Sequence, residues 1–480
     1  MSGDSKIYVG SRKSELALVQ TRHVISLLKD IYPEKDFEIV TMNTLGDKVL
    51  DIPLPKIGEK SLFTKELETA LITGCVNLVV HSLKDLPTTL PEGMAIGAVL
   101  AREDPRDALV LQKNLQQFTL DTLPANSVIG TSSLRRTAQL AKHHPHLKVE
   151  NIRGNLNTRL KKLDDLGKYH AIVLAAAGLI RIGWQDRISK ILEPDDLLYA
   201  VGQGALAVEC RADDDETIKL LEPLYDLQTA LQVTAERSFL KTLGGGCSAP
   251  VAVWSEFKVE KANEVKLTLT GAVWSLDGKD EIKESDSTNA TVNKVLRCAT
   301  CPYNKSNRKF TDIESLNDCN KCVSPSKEPV FKKQKLAEIP SEILKNDPHE
   351  KCPVQLPVGV EFMGKCPYLE TGLENIHDKF PSVNSTTSTD LMKCPFLKQN
   401  VLTQILDPVH INDTNTSEHA NKLFCGLVSH KDASIEGMES ARILGERLAH
   451  NMASKGALEI MAKAQSIIHN STIVSKTVIV

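Results

Sequence analysis

"VGSRKSELALVQT", residues 9–21, follows a plan that returns at residues 129–141 as "IGTSSLRRTAQLA". Each opens on an apolar residue and a glycine, passes through Ser or Thr and a basic residue, and enters a stretch of helical spacing. Ala17, Thr21, Val24 and Leu28 share one helical face in the first; Leu134, Ala138 and Ala141 share one in the second. A strand handing over to a helix at clustered hydroxyl and guanidinium groups, twice, predicts a pair of α/β units. The runs around them agree. KIYVG, FEIVTM, NLVVHSL, AIGAVL, SVIGTSS, KVENIRG, AIVLAAAG and ALAVEC lack polar alternation and read as strands buried on both faces, in mainly parallel sheets. Helices lie between them. Phe63, Leu67 and Leu71 are spaced i, i+4, i+8 before Gly74, and Leu156, Leu160 and Leu163 follow Gly154.

From about residue 228 the texture changes. SAPVAVWSEFKVE and VKLTLTGAVWSLDG alternate apolar and polar residues, with Asp277-Gly278 as a turn signal, and predict a small antiparallel sheet. Ala441, Leu444, Leu448 and Met452 form a helical stripe that could cover its other face. Residues 291–427 are rich in Asn, Ser, Thr, Lys and Pro and poor in periodic apolar residues, and read as a long, mostly disordered insertion. The expected domains are 1–100 with 203–224, 104–200, and 228–290 with 428–470.

Composition excludes several classes. The 480 residues hold 58 Lys and Arg against 61 Asp and Glu, so no global basic field points to nucleic acid. Aromatic residues make up 4% of the chain, too few for a base-stacking platform. The longest apolar run, AIVLAAAGLI, is short of a membrane span, and MSGDSKIYVG has no basic flank followed by an apolar core. The expectation is a cytoplasmic chain with reduced thiols, which the odd count of 11 cysteines fits.

Arginines mark the chemistry. Arg12, Arg135, Arg136, Arg153, Arg159 and Arg181 each stand at or just after an expected strand end, where open α/β sheets bind ligands and helix N-termini favour anions. One such arginine is ordinarily a surface ion pair; six at equivalent edges predict a cleft for a polyanion. In VVHSLKDLPT the chain turns before Pro87, which puts Asp85 on the loop at a strand's carboxyl end. Asp85 reads either as a turn-capping carboxylate or as an ionised group that stabilises a cation on a substrate whose acids the arginines hold. Cys247, in LGGGCSAP, has two readings as well. It is a packed thiol in a tight turn, or a nucleophile that a bulky group approaches over three side-chain-free residues.

Taken in order and spacing, GSRKSELALVQT, GEKSLFTKELE, VVHSLKDLPT, GTSSLRRTAQL, IRGNLNTRL, YAVGQGALAVE and GGGCSAPVAV closely resemble the porphobilinogen deaminase (hydroxymethylbilane synthase) family. The likeness covers about residues 6–280 and resumes weakly near 430–465. It implies two domains like type II periplasmic binding proteins, with the active site between them, and an α+β third domain that carries the cysteine loop. It implies a transferase of porphyrin and haem biosynthesis, working as a monomer. Four porphobilinogen molecules are joined head to tail with loss of ammonia, on a dipyrromethane cofactor, and the linear tetrapyrrole is then hydrolysed off.

By the same resemblance, Cys247 carries the dipyrromethane through a thioether, formed when the soft sulfur captures the electrophilic methylene left by departing ammonia. Asp85 matches the catalytic carboxylate. Lys84, Ser132, Ser133, Arg135, Arg136, Arg159, Arg181 and Gln203 match positions that hold the cofactor; Arg12, Ser14, Gln20, Phe63 and Arg153 match positions that hold substrate. VLDIPLPKIGEK, residues 49–60, corresponds to a mobile lid that Pro53 and Pro55 would stiffen.

The insertion departs from the family pattern. Cys298 and Cys301 with Cys319 and Cys322 have the spacing of a four-thiolate zinc ribbon, though flanking strand signals are missing. Cys-Pro at Cys352, Cys366 and Cys394 resembles haem-regulatory motifs, in which a thiolate ligates haem iron. Unliganded disorder is the third reading. For the whole chain, the rival to the deaminase is a non-catalytic, two-lobed binder of small anions.

Overall fold

In the computed structural model the described residues are 6–44, 46, 63–244, 249–294 and 422–476. The chain opens with β1 (Ile7–Arg12), α1 (Glu15–Ile31), β2 (Phe37–Met42), α2 (Lys65–Ile72), β3 (Leu78–Ser82), a single 3-10 turn (Leu83–Asp85) and β4 (Met94–Val99). It then crosses to a second sheet. There it forms β5 (Asp107–Leu111), β6 (Val128–Gly130), α3 (Leu134–His143), β7 (Lys148–Glu150), α4 (Leu156–Asp165), β8 (Ala171–Ala175), α5 (Ala176–Arg181) and β9 (Lys190–Ile191). It returns for β10 (Leu206–Arg211) and α6 (Asp215–Leu221). The last part is α7 (Leu227–Thr242), β11 (Val251–Lys261), β12 (Glu264–Trp274), β13 (Glu281–Thr291), β14 (Leu423–Phe424), β15 (Leu427–Val428), α8 (Ile435–Ser454) and α9 (Ala457–Lys476).

The fold is α/β, with two parallel-rich sheets and one antiparallel sheet. The first runs β14-β15-β4-β10-β3-β1-β2 and the second β7-β6-β8-β5-β9. β1 pairs parallel with β2 and β3, and β6 pairs parallel with β7 and β8. The antiparallel exceptions have one cause. β10 re-enters the first sheet from the crossing segment and must run back between β3 and β4; β5, the strand that enters the second sheet, runs against β8 and β9. β4 is buried along its whole length, and β3 and β10 along all but their last residues, as expected of strands covered on both faces.

The third sheet, β11-β12-β13, is a meander of 11-residue strands. In β12 the inward residues Val265, Leu267 and Leu269 alternate with less buried ones. The stripe expected on the late helix is present: Ala441, Leu444, Leu448 and Met452 of α8 are fully buried, in one core with Phe239 of α7 and the inner face of β12.

Four expectations need adjusting. The helix expected from Phe63 begins at Lys65, so Phe63 precedes it, while Leu67 and Leu71 are buried as expected. On α3 the buried face holds Arg135, Arg136 and Gln139 beside Ala138 and Leu140, because a buried acid waits there for the guanidinium groups. β5 and β13 were not among the expected strands. DALVL follows a charged, proline-bearing stretch, and EIKESDSTNAT is too polar and exposed to show a core face. The insertion begins and ends more narrowly than 291–427: Thr291 closes β13, and β15 pairs with β4. The zinc-ribbon and Cys-Pro cysteines, and the lid at 49–60, lie outside the described residues.

Among the described residues no helix is long and apolar enough to cross a membrane, and no group of three or more His, Cys, Asp or Glu could hold a metal ion.

Candidate active site

A cleft lies at the carboxyl ends of the parallel strands of both α/β sheets. From the first sheet it is lined by Arg12 at the end of β1, Ser14, Phe63, Ser82 at the end of β3, and Lys84 and Asp85 on the turn that follows. From the second come Arg136, Arg153, Arg159 and Arg181, with the first turn of α4. Local chemistry sets these positions. Ser14 caps α1 by accepting from Ala17 N at 3.4 Å, and Ser133 caps α3 by accepting from Arg136 N at 3.5 Å, so each helix starts where its strand ends. The helix N-termini add their partial positive charge.

Among the described lining residues, Arg12, Lys84, Arg136, Arg153, Arg159 and Arg181 carry positive charge, and Glu15 and Asp85 carry negative charge. Burial pushes the Lys84 ammonium down to about 8, against the pull of Asp85. Burial also pushes Arg159 down to about 10, with Arg136 and Arg153 adding repulsion. Arg153 and Arg181 shift the same way for the same first reason. Positive charges crowded and desolvated in this manner are relieved by an anion. Asp85 is half-buried, and no described residue donates to its carboxylate. The Arg12 guanidinium lies 4.4 Å over the Phe63 ring, within cation–π reach.

Arg135, Gln203, Gln20 and Ser132 stand one layer back, and their contacts, with those of Arg136 and Arg181, hold the lining in place. Arg135 is buried, and its Nη1 donates to Asp107 Oδ2 at 2.7 Å and to Leu198 O at 2.6 Å. Arg136 donates to Asp107 Oδ1 at 2.7 Å and to Val173 O at 2.9 Å, while its Nε is buried with no hydrogen-bond partner among the described residues. Gln203 bridges both halves of the cleft. Its Nε2 donates to Asp107 Oδ1 at 2.8 Å, and its Oε1 accepts from Lys84 Nζ at 3.5 Å. Gln20 Nε2 donates to Ser82 Oγ at 3.0 Å. The Ser132 hydroxyl is engaged by Asn151 and Ile152 O, outside the cleft lining. Arg181 donates to Gly204 O at 2.7 Å and pairs with Glu103 at 3.0 Å. Cys247 lies outside the described residues, on the connection between α7 and β11.

Two groups escaped the sequence reading. Asp107 opens β5 and is fully buried; burial opposes its charge, yet Arg135 and Arg136 hold its carboxyl well below the usual range. Glu236, fully buried on α7, accepts from Arg102 Nη1 at 2.6 Å and Nη2 at 3.0 Å and from Gly202 N at 2.8 Å. It ties the helix leading to the cysteine loop to both crossing segments. In the sequence, Asp107 is one acid in the charged stretch REDPRD, and Glu236 is one polar residue in a helix of weak amphipathicity. The nearest available signal was an acid at the head of an apolar run.

Comparison with known proteins bears directly on this arrangement. A family model described as porphobilinogen deaminase, dipyromethane cofactor binding domain, matches residues 7–219, and one described as porphobilinogen deaminase, C-terminal domain, matches residues 230–301. The porphobilinogen deaminase of Nostoc sp. is 53% identical over 285 residues, covering 59% of this chain and 86% of that protein. The chain belongs to the porphobilinogen deaminase family. The porphobilinogen deaminase of Synechococcus elongatus is 52% identical over 281 residues, covering 58% of this chain and 86% of that one. Among solved structures, a periplasmic aliphatic sulphonate binding protein from Escherichia coli is similar with a TM-score of 0.28 and 13% identity, covering 49% of this chain and 70% of that one. The part of the chain matched to the deaminase cofactor domain contains every described residue that lines the cleft.

Proposed function

We propose that this cleft joins porphobilinogen units head to tail, releases ammonia at each step, and finally releases hydroxymethylbilane. The observation that carries this reading is Asp85, a carboxylate without a described donor, set among six cationic side chains that line the same cleft. Each pyrrole ring brings two carboxylates, so a growing chain needs many cationic partners and one acid that faces the reacting ring.

The residues divide the work. Arg12 and Arg153 hold the carboxylates of the incoming unit, and Phe63, already under Arg12, offers its ring to the pyrrole face. Arg136, Arg159, Arg181 and Lys84 hold the carboxylates of the bound primer; each charge-assisted bond contributes about 1.5–3 kcal/mol. The donor set fits a dipyrromethane: helix N-termini and the desolvated cations Lys84, Arg159 and Arg181 line the cleft that its acids would fill. Bound through Cys247, the dipyrromethane supplies the primer from which elongation starts. Asp85 accepts hydrogen bonds from pyrrole N–H groups, stabilises the cation formed on the substrate when ammonia leaves, and takes up the proton displaced from the ring carbon. Ser14, Ser133, Gln20 and Gln203 orient these groups from behind, as does Ser132 through Asn151.

The domains read from the sequence, 1–100 with 203–224, 104–200, and 228–290 with 428–470, are kept as part of this proposal. A monomer is the state that the family resemblance implies. The described cysteines Cys75, Cys210 and Cys425 are free thiols, in keeping with a reducing, cytoplasmic setting.

Asp85→Asn preserves shape and removes the charge. The expected result is substrate binding close to wild type with turnover lower by about 10²-fold or more. Near-normal turnover in this variant would show that Asp85 has no part in the chemistry.

A further inference from the structure

One buried polar cluster is not used by the chemistry above. β10 lies between β3 and β4, and its side chains alternate faces. Leu206, Val208 and Cys210 enter an apolar core with Val24 and Leu28 of α1. Glu209 and Arg211 face the other way, towards α2. Arg211 Nη1 donates to Leu71 O and Val76 O, each at 3.0 Å, and so fixes the C-terminal end of that helix. At the other end, the fully buried Glu209 accepts from His81 Nε2 at 2.9 Å. His81 is paired with Ala207, so it stands diagonally across from Glu209 on the same face. Glu68, in the first turn of α2, is 5% exposed and close enough to feel the charge of Glu209.

Among the described residues, Glu68 Oε1 and Glu209 Oε1 are buried without a hydrogen-bond partner. Two ionised carboxylates placed so would repel each other and leave desolvated oxygens unsatisfied, which is costly in a dry site. A single proton on the pair removes the repulsion and supplies a missing donor. Burial pushes the Glu68 carboxyl up and prevails over a hydrogen bond from Thr64 and the charge of His81, while the charges of Glu209 and Glu66 add to the rise. The groups that act on Glu68 besides Glu209 are His81 on β3 and Thr64 and Glu66 at the start of α2, while Arg211, further along β10, is engaged by Leu71 O, Val76 O and Asp214.

All three elements run into the cleft. α2 begins two residues after Phe63, β3 ends at Ser82 just before Lys84 and Asp85, and β10 begins two residues after Gly204, which receives Arg181. We propose that Glu68, Glu209 and His81 form a positioning cluster, held by one proton shared between the two carboxylates, that fixes the Ser82–Asp85 turn relative to Phe63. The proposal rests on the reading of the cleft given above. It predicts an effect on kcat, because the cluster sets the geometry of the reacting groups and touches no substrate. Lys84, whose loss of charge near 8 weakens carboxylate binding, acts instead on KM.

Infrared spectra of the purified holoenzyme near neutral pH test the shared proton directly. The expected result is the C=O stretch of a buried, protonated carboxylic acid, absent in Glu68→Gln and titrating together with the alkaline fall of kcat. In Glu68→Gln, which keeps a donor at that position, the alkaline limb of kcat moves to higher pH while the KM profile stays in place. Glu209→Gln lowers kcat by about tenfold or more through misplacement of the turn, with KM little changed. Absence of the protonated-carboxyl band in the wild type, or identical kcat profiles for wild type and Glu68→Gln, would overturn the proposal. A chain that shows the band and its loss but makes no tetrapyrrole would support the shared proton and sink the reading of the cleft.

Discussion

Arg135 and Arg136 are indistinguishable in the sequence, and their surroundings separate them. Arg135 is committed to Asp107 and Leu198 O, whereas Arg136 shares Asp107 and still lines the cleft. Asp107 is therefore the counter-charge that lets two guanidinium groups sit side by side. Asp107→Ala leaves both buried and unpaired, and should lower stability by about 3–5 kcal/mol, read as an earlier denaturant midpoint. The arginines at strand ends were legible in the sequence because strand and helix punctuation fixed their place. Asp107 was not, because its partner lies on another element and no local pattern records the pairing. Lys84 supplies a pH dependence at the same scale. Burial lowers its pKa to about 8 in the folded chain, below that of an unfolded lysine, so the folded chain sheds this proton first as pH rises. The stability penalty of charging it is present in full below about 8 and fades above, so this group makes the fold relatively more stable with rising pH over that window. Binding moves the other way. KM for the carboxylate-bearing substrate should rise as pH passes about 8, and Lys84→Arg should abolish that step in a KM–pH profile.

Among the elements, α7, the helix that precedes Cys247 in the chain, packs tightly against α8. They cross so closely that a Cβ on Gly445 would stand 2.2 Å from Ala235 O and 2.7 Å from Phe239 N. Gly445→Ala must push the helices apart, and should cost about 1–3 kcal/mol of stability by thermal or chemical unfolding while leaving the cleft residues untouched. An unchanged unfolding midpoint would mean the crossing is looser than described. The stripe of α8 was legible because its apolar residues keep helical spacing. β13 was not legible, because its outer face is solvated and its inner face contributes little beyond Ala290. β5 was missed for another reason: the turn-like stretch before it hides a strand that is buried from its first residue.

At the scale of the molecule, two crossing segments join the α/β sheets, and Glu236 and Arg102 fasten both segments to the helix that leads to Cys247. The general plan was legible in the repeated strand-to-helix handover. The antiparallel return of β10 was not, since it depends on which strands the crossing chain meets. The central claim is that the cleft elongates a pyrrole chain anchored on Cys247. Intact-mass measurement of the purified protein, beside Cys247→Ala, tests it most directly. The account predicts a covalent adduct of two pyrrole rings on the native chain, its absence in the variant, and loss of tetrapyrrole formation with it. A native chain without the adduct, or a variant that still makes tetrapyrrole at the native rate, would contradict it.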